Sequence, residues 1–115
     1  MTKGSERLNS FPLTVEATYW KQGFFNVTVD YERFIGGHGE SIDIHCQHVD
    51  EKIEGTINRT ANSNGTPRVM GRSALKRWFQ ETVRERGRVK VTILSPNSIS
   101  LRAMRTTLEC ESLNL

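Results

Sequence analysis

Short segments in which apolar and polar residues alternate make up most of the sequence, and this pattern most constrains its fold. It is clearest in Phe24–Tyr31, Ser41–Gln47 and Arg88–Leu94, where every second residue is apolar. A period of two residues is typical of β-strands that bury one face. The pattern therefore predicts a domain built mainly from short strands.

Weaker candidates bring the predicted total to six or seven strands. They are Leu13–Ala17, Val49–Ile57, Arg68–Arg72 and Ile99–Met104. The turn-forming residues Ser95–Ser98 separate the last strand from the one before it, which predicts a closing hairpin.

The sequence predicts one main helix, Ser73–Arg86. Ser73 is a favourable N-cap residue, and Gly87 suits a left-handed position after the helix. An apolar stripe at helical spacing consists of Leu75, Trp78, Phe79 and Val83. Many short strands with one late helix favour a mostly β (α+β) fold, an open six- to seven-stranded barrel, over a parallel sheet with alternating helices.

The chain has 115 residues, which fits a single domain with its own core. We expect an N-terminal arm or edge strand over residues 1–18, the domain itself over 19–105, and a tail over 106–115. No apolar run approaches the ~18–20 residues that span a bilayer, and no signal peptide is visible, so no membrane partner is expected. Two cysteines are too few for a disulfide scaffold, which favours a reduced, cytoplasmic location.

Charge is distributed unevenly along the chain. Residues 1–54 carry a net charge of −4, residues 55–107 carry +9, and the last eight residues carry −2. Nine of the eleven basic residues in the middle block are arginines, whose planar fork suits phosphates and guanine edges. A one-sided basic block is typical of nucleic-acid-binding proteins, although a solvated basic face has the same composition.

Histidines and a cysteine occur close together in His45-Cys46-Gln47-His48, with His38 nearby. Strand alternation directs Cys46 inward and His45 outward, so these side chains should diverge instead of converging on a metal. We therefore expect no metal site and no cofactor.

Three carboxylates on successive segments, Asp30, Asp43 and Glu54, could meet in space and serve a small metal-dependent nuclease. None of these three carboxylates begins a compact acid-x-lysine arrangement, and the sequence offers no convincing nucleophile to pair with His38. A non-catalytic protein is therefore expected, with the nuclease as the alternative.

Two loops carry the candidate binding residues. The first, Tyr31–Glu40, contains Gly36-Gly37-His38-Gly39, which allows close backbone approach to a ligand. The second, Asn58–Arg72, is rich in asparagine and arginine, contains no acid, and is longer than most connections. Arginine can donate two hydrogen bonds to guanine, and asparagine can pair with adenine.

The order of these parts resembles the DNA-binding pseudobarrel of the effector domain of EcoRII-type restriction enzymes and of the plant B3 domain. The resemblance covers about residues 20–104. The residues that carry it are Gly36-Gly37-His38 after Phe24–Tyr31, Asn58-Arg59 through Arg72, Leu75–Phe79, and Val89–Leu94 with Ile99–Leu101. This family usually has a helix between its early strands, where Glu32–Ile35 leaves room for one turn only.

The resemblance implies that two loops grip duplex DNA and read its major groove. Its candidate contacts in this sequence are Arg33, His38, Glu40, Asn58, Arg59, Thr60, Asn62, Asn64, Arg68 and Arg72. On this basis we expect alanine at Arg59 or Arg68 to weaken DNA binding while leaving the melting temperature nearly unchanged.

The expected function is sequence-specific binding of double-stranded DNA, in restriction-modification or transcription regulation. A nucleoid-associated location follows if DNA is bound, and a separate nuclease or regulatory subunit is an expected further partner. A protein-interaction module whose basic face binds an acidic partner remains an alternative. RNA binding is a variant, although the sequence has no aromatic-rich strand of the kind that stacks single-stranded bases.

Overall fold

A computed structural model describes residues 9–104 of the chain. The strands are β1 Asn9–Thr14, β2 Phe24–Asn26, β3 Ser41–Cys46, β4 Ile53–Asn58, β5 Arg68–Met70, β6 Arg88–Ser95 and β7 Ser98–Ala103. The α-helices are α1 Ala17–Gln22 and α2 Arg72–Thr82, and a 3-10 helix spans Val29–Phe34. Within residues 9–104 no helix is long and apolar enough to cross a membrane.

All seven strands join one sheet in the order β1-β6-β7-β3-β4-β5-β2. Every neighbouring pair is antiparallel except β3 and β7, which are parallel. The sheet curls into a half-barrel, so the prediction of a mostly β, open-barrel fold is confirmed.

The core lies on the concave side of the sheet, and helix α2 packs into it. The predicted alternation is confirmed in β3 and β6, whose inward residues are buried: Ile42, Ile44, Cys46, Val89, Val91 and Ile93. Leu75, Trp78 and Phe79 of α2 are also buried, which confirms most of the predicted helical stripe.

Both predicted caps of the main helix are wrong. Helix α2 begins at Arg72 with Gly71 as its N-cap, and Ser73 lies inside it. The helix ends at Thr82 because the chain after it bonds to the segment that follows β1: the N–H of Arg86 donates to the Val15 carbonyl at 2.7 Å. Arg86 (φ 72°), not Gly87, adopts the left-handed conformation.

The predicted strand Phe24–Tyr31 is too long. Strand β2 ends at Asn26 because its partner β5 offers only three residues for pairing. The chain then turns into the 3-10 helix, where the Tyr31 ring stacks on Phe11 with centroids 4.7 Å apart. Val29, one of the alternating apolar residues from which that strand was predicted, is 62% exposed.

Helix α1 was not predicted, because Ala17–Gln22 has no clear periodicity. Its preceding strand β1 lies at the edge of the sheet and starts earlier than the predicted Leu13–Ala17. Strand β4, in contrast, starts later than predicted, at Ile53. The predicted tail over 106–115 and residues 1–8 lie outside the described residues.

Candidate functional site

An open cleft of about 560 Å³ lies between the connection from β1 to β2 and the loop from β4 to β5. One wall is formed by residues 12–14, Glu16 and Tyr19, and the floor by residues 26–29. The opposite wall consists of Asn62, Ser63, Asn64 and Thr66. The lining is thus rich in amides and hydroxyls, contains one acid and has no lysine or arginine.

The loop between β4 and β5 is shaped by its own asparagines. Asn58 Oδ1 accepts hydrogen bonds from the N–H groups of Thr60 (2.9 Å) and Ala61 (3.0 Å) and from the Thr60 hydroxyl (3.0 Å). Asn64 Oδ1 similarly accepts from the N–H (3.2 Å) and hydroxyl (2.8 Å) of Thr66. These local bonds are those that favour asparagine in turns.

Asn26 on the cleft floor connects this loop to β5. Its Oδ1 accepts hydrogen bonds from Asn62 Nδ2 and Arg68 Nε, both at 3.0 Å. The Arg68 guanidinium also lies 4.2 Å from the centroid of the Phe24 ring. Arg68 is therefore held beside the cleft by its Nε and by contact with the ring, and within residues 9–104 its two terminal nitrogens have no hydrogen-bond partner.

Arg59 has a structural environment. Its Nε donates to the Gly36 carbonyl (2.9 Å), and Nη2 donates to the carbonyls of Glu32 and Ile35 (both 2.8 Å). Nη1 donates to Glu32 Oε1 (3.0 Å) and to the Gly65 carbonyl (3.3 Å). All five guanidinium N–H groups are used, so Arg59 joins the two predicted loops and has no donor left for a base.

The first predicted loop therefore lies against the start of the second loop, at Arg59. His38 Nδ1 accepts from the Arg59 backbone N–H at 3.0 Å. Glu40 Oε1 accepts from Asn97 Nδ2 at 3.0 Å, and this bond and the Gly37 backbone N–H lower the pKa of the Glu40 carboxyl. His38 and Glu40 hold the loop in place in this structure, whereas Arg33 is exposed over the Phe34 ring.

Among the remaining predicted contacts, Asn62 is half-buried. Thr60, Asn64 and Arg72 are exposed. Arg72 has a left-handed backbone (φ 58°), and its N–H donates to the Gly23 carbonyl at 2.9 Å. This bond ties the start of α2 to the end of α1.

Several cleft residues were missed by sequence reasoning: Glu16, Tyr19, Asn26, Thr28 and Val29. The outward position of Asn26 on a predicted strand was the one available signal. The others belong to segments whose helical structure the sequence pattern did not predict.

The nuclease alternative gains no support from the described residues. Asp43 lies opposite Glu54 in the β3–β4 pair, but it forms an ion pair with Lys52 at 3.2 Å, and Asp30 lies on the 3-10 helix. No three His, Cys, Asp or Glu side chains come together within residues 9–104 to hold a metal ion.

Cys46 is buried and His45 is exposed, so they diverge as predicted. Burial raises the pKa of the Cys46 thiol to about 12. Cys46 therefore contributes a neutral side chain to the core.

No protein-family model and no curated protein matches the sequence. Among solved structures, the fold is similar to the N-terminal domain of Helicobacter pylori LlaJI.R1, with a TM-score of 0.65 and 10% sequence identity. The match covers 91% of this chain and 88% of that chain. The likeness shows that the two chains share a fold, which in this chain is a curled, mostly β half-barrel.

Proposed function

We propose that this chain is a non-catalytic, sequence-specific double-stranded-DNA-binding domain that reads base edges with the cleft. The wall formed by Asn62, Ser63, Asn64 and Thr66, which we call the β4–β5 wall, takes part in this reading. The observation that carries the proposal is the cleft lining, which combines asparagines held by hydrogen bonds with hydroxyl groups and has the Arg68 guanidinium beside it. The fold similarity to the N-terminal domain of LlaJI.R1 is compatible with DNA binding.

The chemistry of this lining suits base edges in the major groove. Arg68 has two terminal nitrogens to donate to guanine, and Glu16 can accept from a cytosine amino group. Within the described residues, Asn62 Oδ1 and Asn64 Nδ2 have no hydrogen-bond partner, so the wall offers one acceptor and one donor. Such polar groups favour hydrogen-bonded recognition over apolar binding.

The predicted contacts divide into two roles under this proposal. Those that contact DNA are Arg33, Thr60, Asn62, Asn64, Arg68 and Arg72. Those that hold the loops in position are His38, Glu40, Asn58 and Arg59. The two loops accordingly act as one unit, and the segment from β1 through α1 forms the other side of the cleft.

Selection from randomised duplex DNA tests the proposal. We expect an enriched sequence, and binding to it that is at least about 1,000-fold tighter than to unrelated duplex at the same salt concentration. Equal affinity for all duplexes, or none, would overturn the proposal.

Arg68→Ala then tests the site, with Arg84→Ala as a control that removes one exposed arginine outside the cleft. We expect Arg68→Ala to weaken binding by about tenfold or more and to relax the preference at one base pair, as loss of a guanine contact does. Equal effects of the two variants at every base pair would contradict the assignment of Arg68.

A further inference from the structure

The cleft lacks the charges that binding to duplex DNA requires. Its lining contains no lysine or arginine and includes Glu16. Because cations that neutralise phosphates supply much of the affinity for DNA, the cations must lie outside the cleft. The proposed function already assigns Arg33, Arg68 and Arg72 to DNA. Further cations lie beside the opposite wall of the cleft, which residues 12–14, Glu16 and Tyr19 form and which we call the β1 wall.

Three cations continue from the β1 wall across the outer face of the sheet. Pro12 and Thr14 line the cleft, and their register partners on β6 are Lys90 and Arg88. Lys90 in turn lies opposite Arg102 on β7. We call Arg88, Lys90 and Arg102 the β6–β7 cation row; all three residues are exposed.

This row is electrostatically unfavourable in the free protein. Lys90 and Arg102 are directly opposite on neighbouring strands, where like charges destabilise a sheet. Within residues 9–104 the ion pairs are Lys52–Asp43 and Arg59–Glu32, so no acid there pairs with the row. Asp43 is opposite Ser98, four residues from Arg102 and thus about 13 Å along the strand.

We propose that the β6–β7 cation row binds the phosphate backbone of duplex DNA that flanks the bases seated in the cleft. This inference rests on the proposed function and extends it to a second surface. Adjacent strands are about 4.8 Å apart, so the row reaches about 10 Å beyond β1. A bound backbone supplies the negative charge that the described part of the fold does not provide.

The test compares two triple variants that each remove three exposed cations. The first replaces the row: Arg88→Gln, Lys90→Gln and Arg102→Gln. The matched control changes the α2 side: Lys76→Gln, Arg77→Gln and Arg84→Gln. Each is titrated over a range of salt with the selected duplex, once trimmed to the recognised bases and once with about ten extra base pairs on each side.

With the long duplex, we expect the row variant to lower the salt slope by about two to three, since each lost phosphate contact reduces it by ~0.9. Its affinity should fall roughly tenfold or more at low salt, while its ratio of specific to unrelated binding stays the same, because phosphate contacts carry no sequence information. With the trimmed duplex it should bind nearly as the wild type does. Its melting temperature should be unchanged or higher, because a repulsive pair is removed.

The inference is overturned if the row variant keeps the wild-type salt slope on the long duplex. It is also overturned if the α2 control loses as much salt slope and affinity on that duplex as the row variant does. Either result leaves the proposed function standing, provided that the wild type still selects a sequence. Failure of the wild type to bind any duplex overturns the proposed function itself, so the two failures can be distinguished.

Discussion

The guanidinium of Arg59 donates two hydrogen bonds to Glu32, one to the backbone carbonyl at 2.8 Å and one to the carboxylate at 3.0 Å. These residues are 27 positions apart in the chain. Together with the bonds to Ile35, Gly36 and Gly65, this contact makes the loops before β3 and after β4 one structural unit.

We therefore predict that Arg59→Ala destabilises the fold, which reverses the sequence-based expectation of a nearly unchanged melting temperature. The carbonyls that Arg59 satisfies would lose their donors, at an expected cost of about 2–3 kcal/mol. In a domain of this size that cost lowers the melting temperature by roughly 10 °C. Thermal unfolding followed by circular dichroism measures the change.

Two variants serve as controls for this experiment. Arg59→Lys keeps the charge but not the planar fork, so it should recover only a minor part of the loss. Arg33→Ala removes an exposed arginine over the Phe34 ring and should change stability little. Equal melting temperatures for Arg59→Ala and Arg33→Ala would show that the bonds to Glu32 do not stabilise the fold.

Asn58→Ala should loosen the β4–β5 loop, whereas Asn58→Asp should preserve it. A carboxylate oxygen can accept the same three hydrogen bonds that Asn58 Oδ1 accepts from Thr60 and Ala61, and alanine can accept none. Amide hydrogen exchange at Thr60 and Ala61 should accelerate in the alanine variant and remain slow in the aspartate variant. Equally fast exchange in both variants would argue against this acceptor role.

Gly23→Ala should be strongly destabilising, because Gly23 combines a left-handed backbone with a close approach. Its φ is 81°, and a Cβ there would collide with the Arg72 carbonyl oxygen. Gly39→Ala is the matched control: its φ is 84°, but a Cβ would meet nothing within 4 Å. The control should lose about 1–2 kcal/mol from backbone strain alone.

In denaturant unfolding, Gly23→Ala should lower the free energy of unfolding measurably more than Gly39→Ala does, since the clash requires α1 and α2 to move apart. A comparable loss in both variants would mean that the two helices separate at little cost. Because α1 contributes to the cleft wall, Gly23→Ala should also weaken DNA binding.

The raised pKa of the Cys46 thiol predicts slow alkylation of the folded protein and a loss of stability at alkaline pH. In a Cys110→Ser background, Cys46 should react with iodoacetamide at pH 8 only as fast as the protein opens, and full reaction should require denaturant. Burial favours the neutral thiol and raises its pKa from 9.0 to about 12 in the folded state, so this contribution to stability is intact below pH 9. It is lost progressively as the pH rises from about 9 towards 12.

The free energies of unfolding of the wild type and of Cys46→Ala, measured at pH 7.5 and at pH 10.5, check the direction of this pH dependence. The wild type should lose more stability between these pH values than the variant does. Rapid labelling of native Cys46 at pH 8 would contradict the buried, neutral thiol.

Strand alternation was sufficient to predict a mostly β fold and much of the core. Burial follows the spacing of the apolar residues Ile42, Ile44, Val89 and Val91. A strand with one buried face has apolar side chains at every second position, so its own sequence shows which face is buried. The arginine-rich block and the polar β4–β5 loop were equally visible, since composition and length are local properties.

The ends of the elements and the shape of the site depend on distant residues. Helix α2 stops at Thr82, and Arg86 then bonds to Val15; strand β2 stops where β5 offers no further partner. These limits come from pairing between segments far apart in the chain, which local periodicity does not encode.

The same reason separates Arg59 from Arg68. In the sequence both are arginines in one polar segment, and both were predicted to contact DNA. In the fold, four carbonyls and the Glu32 carboxylate occupy all of the Arg59 donors. Arg68 lies on Phe24 beside the cleft, and within residues 9–104 its terminal nitrogens have no hydrogen-bond partner. Hydrogen bonding between distant loops, and not residue type, therefore assigns these two arginines to different roles.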